Sequence, residues 1–497
     1  MQEEINKIRS SSFMGKMKFL LKDSVLYGVV GMLSRLMGIF LVPVIARVFA
    51  PEEYGVVDNI RIVYEIVLAF CLFGLNQAVA RFIFQTEDQQ ERKSIISEAM
   101  LFNLGLCLLT CTILFFNGDF VLSYFSIPEG SRTFEFRLMV LAIPFTLFTV
   151  FFQMLLKWHF KRAQYMLISI GGPLTLVLFS LFFILKLELG LAGVFYGQLA
   201  SSSLIALVGF FLCKEHFIIP QKFSHLGKMM RFSFPMLGDT LLLSFMPAVD
   251  RKVISEYLTS SDMGTYALGE RFSRLINILT GAFNVSWGPF AYSVYKEHDA
   301  VKIYSRVFTL YVVALTSIGL FFLSVSEPLI ILFASEKYLS SLQIIPFLLF
   351  GFIAESFQEV LGMGILLSKK TIYNTLSYLV HLGVSITAMI LLVGPYGIVG
   401  VGAGFLCGKM GLVISKHIFS QYTYNMKIPV FKELLLFVSS VLAIIFIENM
   451  QGLDVLSKGI IYAVLGMVVA LTGFLFLISK EDSRKLLQKI KNRKKGV

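Results

Sequence analysis

Long apolar stretches, separated by short polar connections, follow one another along almost the whole chain. A transmembrane helix needs about 20 apolar residues, so each stretch predicts one spanning helix. The interval 325–341 also leaves room for a re-entrant turn. The stretches number fourteen and predict helices over 24–49, 56–83, 94–116, 135–157, 163–185, 189–212, 229–254, 263–290, 303–325, 341–367, 371–393, 396–419, 430–448 and 457–479.

The composition agrees with this pattern and excludes most soluble classes. Of the 497 residues 56% are hydrophobic and 15% are charged, and the mean hydropathy is +0.76. A soluble domain carries roughly 25% charged residues, so this chain has too few to cover a water-facing surface. The five cysteines form no Cys-x-x-Cys pair and are interpreted as small apolar packing residues. The sequence therefore predicts a polytopic membrane protein.

Basic residues are distributed unevenly over the predicted connections. With the N-terminus in the cytoplasm, 31 lysines and arginines fall on the cytoplasmic side and five on the other. Such an excess marks cytoplasmic loops, so we expect both termini on the cytoplasmic side of the cytoplasmic (inner) membrane. The net charge of +12 follows these loops and the tail, which argues against nucleic-acid binding. Residues 1–23 show no cleavable signal and resemble an amphipathic helix at the cytoplasmic surface.

Four short motifs recur along the chain at offsets of 204–209 residues. Such an offset covers six predicted helices, an even number, so the two copies share one orientation. We therefore predict two parallel repeats related by a two-fold axis along the membrane normal. The matches are Lys161-Arg162-x-x-Tyr165 with Lys369-Lys370-x-x-Tyr373, Gly190-x-x-Gly193-Val194 with Gly397-x-x-Gly400-Val401, Pro43 and Arg47 with Pro247 and Arg251, and Glu53-Tyr54-Gly55 with Asp262-Met263-Gly264.

The repeat divides the chain into predicted regions. Each lobe contains six helices, and two helices follow the second lobe. The predicted regions are a cytoplasmic amphipathic N-terminus (1–23), an N-lobe (24–213), a C-lobe (228–420), two extra helices (430–479) and a basic cytoplasmic tail (480–497).

The opening of the chain has a pattern that resembles a known family. It reads Gly31-Met-Leu-Ser-Arg35-Leu-Met-Gly38 through Pro43, and then Arg47-Val-Phe-Ala-Pro51-Glu-Glu-Tyr54-Gly55. Together with the 6+6 repeat, it resembles the polysaccharide-biosynthesis, O-antigen-type oligosaccharide flippases of the multidrug/oligosaccharidyl-lipid/polysaccharide (MOP) exporter superfamily.

This resemblance implies a fold, a function and partners. The fold would be all-α and MATE-like, with two lobes that alternate access. The function would be to move an undecaprenyl-pyrophosphate-linked oligosaccharide from the cytoplasmic to the outer leaflet. The partners would be the lipid bilayer and this lipid-linked oligosaccharide, with room for other polysaccharide-assembly proteins.

Charged residues lie inside several predicted helices, where a charge at the bilayer centre costs about 2.5–3.5 kcal/mol. We therefore expect them to face a partner or a wet cavity. Arginine can hold a pyrophosphate with paired donors. The expected cavity cations are Arg35, Arg61, Arg271, Arg274 and Lys409, with Arg47 and Arg251 as weaker candidates because snorkelling to the interface also explains them.

Opposite charges occupy matching repeat positions. Asp58, Arg61 and Glu65 share one face of predicted helix 2, and adding 209 to Arg61 and Glu65 gives Glu270 and Arg274. We hypothesise that Arg61 and Glu65 meet Arg274 and Glu270 near the lobe interface as a gate or cavity wall. The candidate gate carboxylates are Glu65, Glu270 and Asp58. The alternative is two independent i,i+4 pairs, one within each helix.

Three further carboxylates are candidates for coupling transport to H⁺ or Na⁺, namely Asp239, Glu355 and Glu359. The alternative is that they are static counter-charges for nearby cations. No other cofactor is expected, and the six histidines show no metal-ligand spacing.

Small and helix-breaking residues predict how the helices pack and bend. Glycines on predicted helices 6 and 12 leave faces for close packing. Prolines are expected to kink their helices, and the candidates are Pro43, Pro144, Pro173, Pro235, Pro247, Pro289 and Pro346.

Three other functions compete with the flippase interpretation. An exporter of cationic drugs from the same superfamily would need an acidic, aromatic cavity, against which the arginines argue. A lipid II flippase is a second rival. A membrane glycan polymerase or ligase would place catalytic groups in a large outer loop, whereas the longest one, about 117–134, has only Asp119 and Glu129 as acids. The chain is therefore not expected to be an enzyme.

Overall fold

The computed structural model describes residues 29–477, apart from 32, 35–36, 38–40, 126, 128–129, 131, 221, 295–299, 369, 371, 425–427, 429 and 451–453. The predicted N-terminal segment 1–23, the tail 480–497 and Arg35 lie outside these residues. The described part of the chain is helical and contains no strand, which confirms the all-α prediction.

The first half of the chain contains eight helices in the described ranges. They are α1 (Leu41–Val48), α2 (Pro51–Leu72), α3 (Leu75–Ile83), α4 (Gln89–Phe116), α5 (Gly118–Tyr124), α6 (Thr133–Trp158), α7 (Arg162–Leu181) and α8 (Ala192–Cys213). A π-helical turn, Phe182–Lys186, extends α7, and a 3₁₀ turn, Lys214–His216, follows α8.

The second half continues with longer and more interrupted helices. They are α9 (Leu226–Tyr257), α10 (Ser260–Ser273), α11 (Ile276–Val294), α12 (Ala300–Ser324), α13 (Ser326–Phe333), α14 (Ile345–Ser356), α15 (Gln358–Leu361), α16 (Met363–Ser368), α17 (Ile372–Thr423), α18 (Phe431–Asn449) and α19 (Val455–Leu477). A 3₁₀ segment, Glu336–Gln343, precedes α14.

Nine segments of the described chain are long and apolar enough to cross a membrane, so the protein is a multi-pass membrane protein. One of them, α17, is 52 residues long and bends at Gly397, where φ is 54° and ψ is −133°. This bend separates the predicted helices 371–393 and 396–419. Each predicted helix overlaps an observed one, while the count of fourteen spans stays a prediction.

Several helix boundaries differ from the prediction for local reasons. Predicted helix 263–290 is divided at Arg274 and Leu275, which form a turn between α10 and α11. Predicted helix 341–367 is divided into α14, α15 and α16. Pro346 was expected to kink a helix, which is wrong, because it lies in the first turn of α14, where its missing N–H costs nothing. Pro144 and Pro173 do lie inside α6 and α7.

The chain forms two compact units that do not coincide with the sequence halves. Unit 1 contains 1–268, 333–338 and 393–401, and unit 2 contains 269–332, 339–392 and 402–497. The predicted division into lobes at 24–213 and 228–420 stays a prediction. Unit 1 has an apolar core from α3, α4 and α6–α9, in which Phe151, Phe152 and Leu155 are fully buried.

Four glycines of predicted helices 6 and 12, namely Gly193, Gly197, Gly404 and Gly408, pack closely on their neighbours, as expected, whereas Gly190 and Gly397 have no neighbour within 4 Å of a Cβ position. A Cβ at Gly197 would lie 2.7 Å from the Cα of Ser180, and one at Gly404 would lie 2.5 Å from Met389 Cγ. Larger residues would separate these helices. Of the cysteines, Cys407 is exposed and the other four are buried, which agrees with packing roles for the four.

Candidate functional site

The C-terminal part of α14 and the part of α17 after Gly397 bring two opposite charges together in unit 2. Lys409 Nζ lies 2.9 Å from Glu355 Oε1. The Lys409 side chain is 8% exposed and that of Glu355 is 23% exposed, so this pair is largely removed from solvent. A buried ammonium needs such a partner because desolvation otherwise disfavours its charge.

A second cation of unit 2 lies at the break between α10 and α11. Arg274 Nη2 and Nε donate to Glu270 Oε1 at 2.6 and 3.0 Å. The Arg274 side chain is 47% exposed, while Glu270 is buried. The helix break therefore presents a half-exposed guanidinium whose counter-charge lies behind it.

The aromatic ring of Phe352 connects these two ion pairs. Arg274 Cζ lies 5.0 Å and Lys409 Nζ 5.8 Å from its centroid, and Lys409 is also 5.1 Å from the Phe405 ring. Cations within about 6 Å of an aromatic face are attracted by its quadrupole. We call Glu270, Arg274, Phe352, Glu355 and Lys409 the unit 2 cluster.

Residues that the sequence analysis did not single out complete this cluster. His381, in the first part of α17, is 3% exposed and close to Lys409 and Glu355. It fits there because Gly408 has no side chain, and a Cβ at Gly408 would lie 2.8 Å from His381 Nδ1. Phe352 and Phe405 could have been found, because each lies one helical turn before its charged neighbour Glu355 or Lys409.

The Arg61–Glu65 pair of α2 has a different environment. Arg61 Nε donates to Glu65 Oε1 at 3.0 Å, and the two side chains are 51% and 53% exposed. This contact and that of Arg274 with Glu270 match the alternative of two i,i+4 pairs within their own helices. The hypothesis that the pairs meet across the lobes stays a prediction.

Asp58 belongs to neither of these pairs. Its Oδ2 accepts hydrogen bonds from Arg251 Nε at 2.9 Å and Nη2 at 2.7 Å. The Arg251 side chain is 1% exposed, so the expectation that it snorkels to an interface is wrong. A buried charge is stable there because it is paired.

The other predicted site residues are more scattered. Arg47 is exposed at the end of α1, and Arg271 is half-buried in α10. Glu359 accepts a hydrogen bond at its backbone carbonyl from Trp287 Nε1 at 2.9 Å, and the buried Lys416 is close to it. The Asp239 side chain lies outside the described part of the structure.

A comparison with known protein families identifies the family of this chain. Residues 44–343 match the family described as "Polysaccharide biosynthesis protein". The chain belongs to this family. It is also 26% identical over 308 residues to the succinoglycan biosynthesis transport protein ExoT of Rhizobium meliloti (strain 1021). That match covers 59% of this chain and spans 58% of the length of ExoT.

Solved structures show the fold of this family member. The lipid II flippase MurJ in an inward closed conformation has a TM-score of 0.71 at 17% identity, over 93% of this chain and 100% of that one. An inward-facing multidrug resistance MATE transporter of the MOP superfamily has a TM-score of 0.61 at 17% identity, over 79% and 94%. The predicted MATE-like fold is therefore confirmed.

Proposed function

We propose that this protein is a flippase that moves an undecaprenyl-pyrophosphate-linked oligosaccharide, a polysaccharide or O-antigen repeat unit, across the cytoplasmic membrane. It works by alternating access, and both termini lie in the cytoplasm. In unit 2 the half-exposed Arg274 holds the diphosphate. In unit 1 the half-exposed Arg61 is a separate candidate contact for the same chemical group.

The unit 2 cluster is the observation that carries this proposal. In a chain of the polysaccharide biosynthesis family, a broken helix presents Arg274 half exposed, and the aromatic face of Phe352 links it to Lys409. A diphosphate carries at least two negative charges and accepts paired donors from guanidinium. The half-exposed Arg274 guanidinium offers such donors.

The contacts of the carboxylates bear on coupling to an ion gradient. Glu355 lies 2.9 Å from Lys409, which supports the counter-charge interpretation for this residue. Lys416 supplies a neighbouring cation for Glu359. Coupling to H⁺ or Na⁺ through Asp239, Glu355 or Glu359 stays a prediction.

Transport by alanine variants tests the proposal. Arg274→Ala and Arg61→Ala each remove a charged donor whose hydrogen bonds are worth about 1.5–3 kcal/mol, so we expect translocation to fall by tenfold or more. The measurement is the protection of a fluorescent lipid-linked oligosaccharide from an impermeant quencher in proteoliposomes. Variants that reach the membrane and transport at the wild-type rate would contradict the proposal.

Arg274→Lys is the matched control for this experiment. Lysine keeps the positive charge but cannot form the paired guanidinium contacts. We therefore expect its rate to lie between those of the wild type and Arg274→Ala. A lysine variant as inactive as the alanine variant would assign the effect to the geometry of the guanidinium fork rather than to charge alone.

The cluster also bears on the drug-exporter alternative. An exporter of cationic drugs needs acidic groups that are available to its cargo, whereas Glu270 and Glu355 are each engaged by a cation of the chain. These engaged carboxylates argue against a cationic cargo at this cluster. Faster transport of a cationic dye than of the lipid-linked oligosaccharide in the same proteoliposomes would favour the exporter.

Contacts in the outer loop bear on the polymerase or ligase alternative. The Asp119 carboxylate accepts hydrogen bonds from the Gly130 N–H at 3.0 Å and from the Thr133 hydroxyl. These contacts close the loop on itself and support a structural role for Asp119. We therefore propose no enzymatic activity.

A further inference from the structure

The turns that the repeat analysis matched contact each other in unit 1. A Cβ added to Gly55 would lie 3.0 Å from Met263 Cγ and 3.1 Å from the Gly264 nitrogen, and one added to Gly264 would lie 1.7 Å from the Pro51 carbonyl oxygen. The backbones of α2 and α10 therefore touch where neither has a side chain. Contact between equivalent residues is the pattern that a two-fold axis produces beside it.

Asp58, one helical turn after Gly55 in α2, forms an ion pair with α9. Asp58 joins Arg251 at the C-terminal end of α9 through two hydrogen bonds of 2.7 and 2.9 Å to a single carboxylate oxygen. The guanidinium also stacks on the Tyr266 ring at 4.9 Å. The Tyr266 hydroxyl donates to Asp250 Oδ2 at 3.0 Å, and Asp250 lies 3.9 Å from Arg251 Nη1.

This network is shut off from solvent. Asp58, Asp250, Arg251 and Tyr266 are all buried. Two carboxylates therefore flank one guanidinium in a closed polar site, although no sequence motif marks any of the four as a group. We call these four residues the outer latch, because the predicted topology places the α1–α2 and α9–α10 connections at the outer surface.

A second, independent observation concerns which chain segments belong to unit 1. The segments 333–338 and 393–401 belong to unit 1, although the rest of the chain after 268 belongs to unit 2. Both segments lie at predicted outer connections. Tyr338 packs edge-on against Tyr54 at 5.9 Å between ring centroids, and its hydroxyl donates to the Phe49 carbonyl at 3.4 Å. Three predicted outer connections from the second half of the chain therefore belong to unit 1. They are the α9–α10 connection and the segments 333–338 and 393–401.

We propose that the outer latch is the ion-pair lock of the outer gate, closed in this structure, and that Asp58 and Arg251 must separate for the cargo to leave towards the outer leaflet. This inference rests on the proposed transport function. In this proposal the outer latch sets the equilibrium between the closed and the open outer gate and does not bind the cargo.

The chemistry of the pair suits a reversible lock. A buried ion pair gains attraction but loses hydration, so the paired and the separately hydrated states can be close in free energy. Loss of Arg251 removes the cation that Asp58 and Asp250 share, and loss of Asp58 leaves Arg251 with the longer 3.9 Å contact to Asp250. Either change weakens the buried pair and favours the open, hydrated state. An apolar contact of the same size would oppose opening through the exposure of apolar surface.

Thiol labelling from the outer side tests the lock without any cargo. The reporter is Ala267→Cys, at a fully buried position of α10, labelled with a membrane-impermeant maleimide in sealed proteoliposomes. Asp58→Asn and Arg251→Gln should each raise its labelling rate by about tenfold or more, the change that 1.4 kcal/mol produces. The charge exchange Asp58→Arg with Arg251→Asp should bring the rate back towards that of the parent.

Two controls isolate the effect. Glu448→Gln neutralises the carboxylate of the Glu448–Lys458 pair in unit 2 and should leave the labelling rate unchanged. The parent protein without the reporter cysteine gives the background from the native thiols. Tyr266→Phe removes one hydroxyl and no charge, so it should fold and raise the rate by a smaller factor, about two- to fivefold.

The outcomes separate this inference from the proposed function. Folded Asp58→Asn and Arg251→Gln variants with the parent labelling rate would overturn the lock. If these two variants do not fold, an unchanged labelling rate in the folded Tyr266→Phe variant would overturn it. A raised rate in protein that moves no oligosaccharide would retain the lock and reject the flippase.

Discussion

Charged side chains within the helices occur as pairs, and this is the clearest feature at the scale of single residues. Arg61, Arg251, Arg274 and Lys409 each have a carboxylate oxygen within 3.0 Å. Pairing is what the cost of an isolated charge in an apolar medium requires. The pairs differ in exposure, and this difference separates residues that can meet a cargo from residues that hold the protein together.

The buried Lys409–Glu355 pair predicts a stability effect. Lys409→Met leaves the Glu355 carboxylate without its counter-charge, and breaking a buried pair costs about 3–5 kcal/mol. The double variant Lys409→Met with Glu355→Gln should recover most of that loss. Thermal unfolding of the purified protein in detergent measures both, and a double variant no more stable than Lys409→Met would contradict this account of the pair.

The sequence predicted contacts along a helix better than contacts between helices. The Arg61–Glu65 and Glu270–Arg274 pairs follow from a spacing of four residues, which is local. The partner of Asp58 is 193 residues away, and no spacing rule connects the two. Arg251 was therefore interpreted as a snorkelling residue, although it is among the most deeply buried charged residues of the described chain.

At the scale of elements, a helix break carries Arg274, the half-exposed cation of the unit 2 cluster. The turn at Arg274 divides one predicted helix into α10 and α11 and exposes the guanidinium. Hydropathy does not detect such a break, because the apolar stretch continues through it. The bend at Gly397 lies two residues into predicted helix 396–419, next to its boundary with predicted helix 371–393.

The start of α9 gives a prediction at this scale. Glu98 of α4 is fully buried, and its Oε2 accepts hydrogen bonds from the backbone N–H groups of His225 and Leu226, both at 2.8 Å. It thus caps α9 from another helix, and a carboxylate at a helix N-terminus also interacts with the helix dipole. Glu98→Gln should speed amide exchange in the first turn of α9 by roughly tenfold.

Glu91→Gln is the matched control for this capping contact. Glu91 Oε1 reaches the same residue only through the His225 ring, with Nε2 at 3.2 Å. Hydrogen exchange followed by mass spectrometry should therefore show little change in the first turn of α9 in this variant. An equal or larger acceleration in Glu91→Gln would show that the ring contact, and not the backbone cap, holds the helix start.

At the scale of the whole molecule, the apolar stretches were enough to predict an all-α membrane protein, and the opening pattern with the repeat was enough to predict its polysaccharide-biosynthesis family. The compact units were not predictable in this way. Unit 1 takes 333–338 and 393–401 from the second half, and such membership depends on contacts between distant segments. One repeat motif nevertheless contains two residues that contact each other across the repeats, Gly55 and Gly264.

The central claim is that the half-exposed Arg274 of unit 2 contacts the diphosphate of a lipid-linked oligosaccharide, with Arg61 of unit 1 as a separate candidate contact. Equilibrium binding of undecaprenyl pyrophosphate to the purified protein tests it most directly, with undecaprenyl monophosphate and a cationic dye as competitors. The account predicts that the diphosphate binds most tightly and that the double variant Arg61→Ala with Arg274→Ala weakens it at least tenfold. Undiminished diphosphate binding by that folded variant, or tighter binding of the dye, would contradict it.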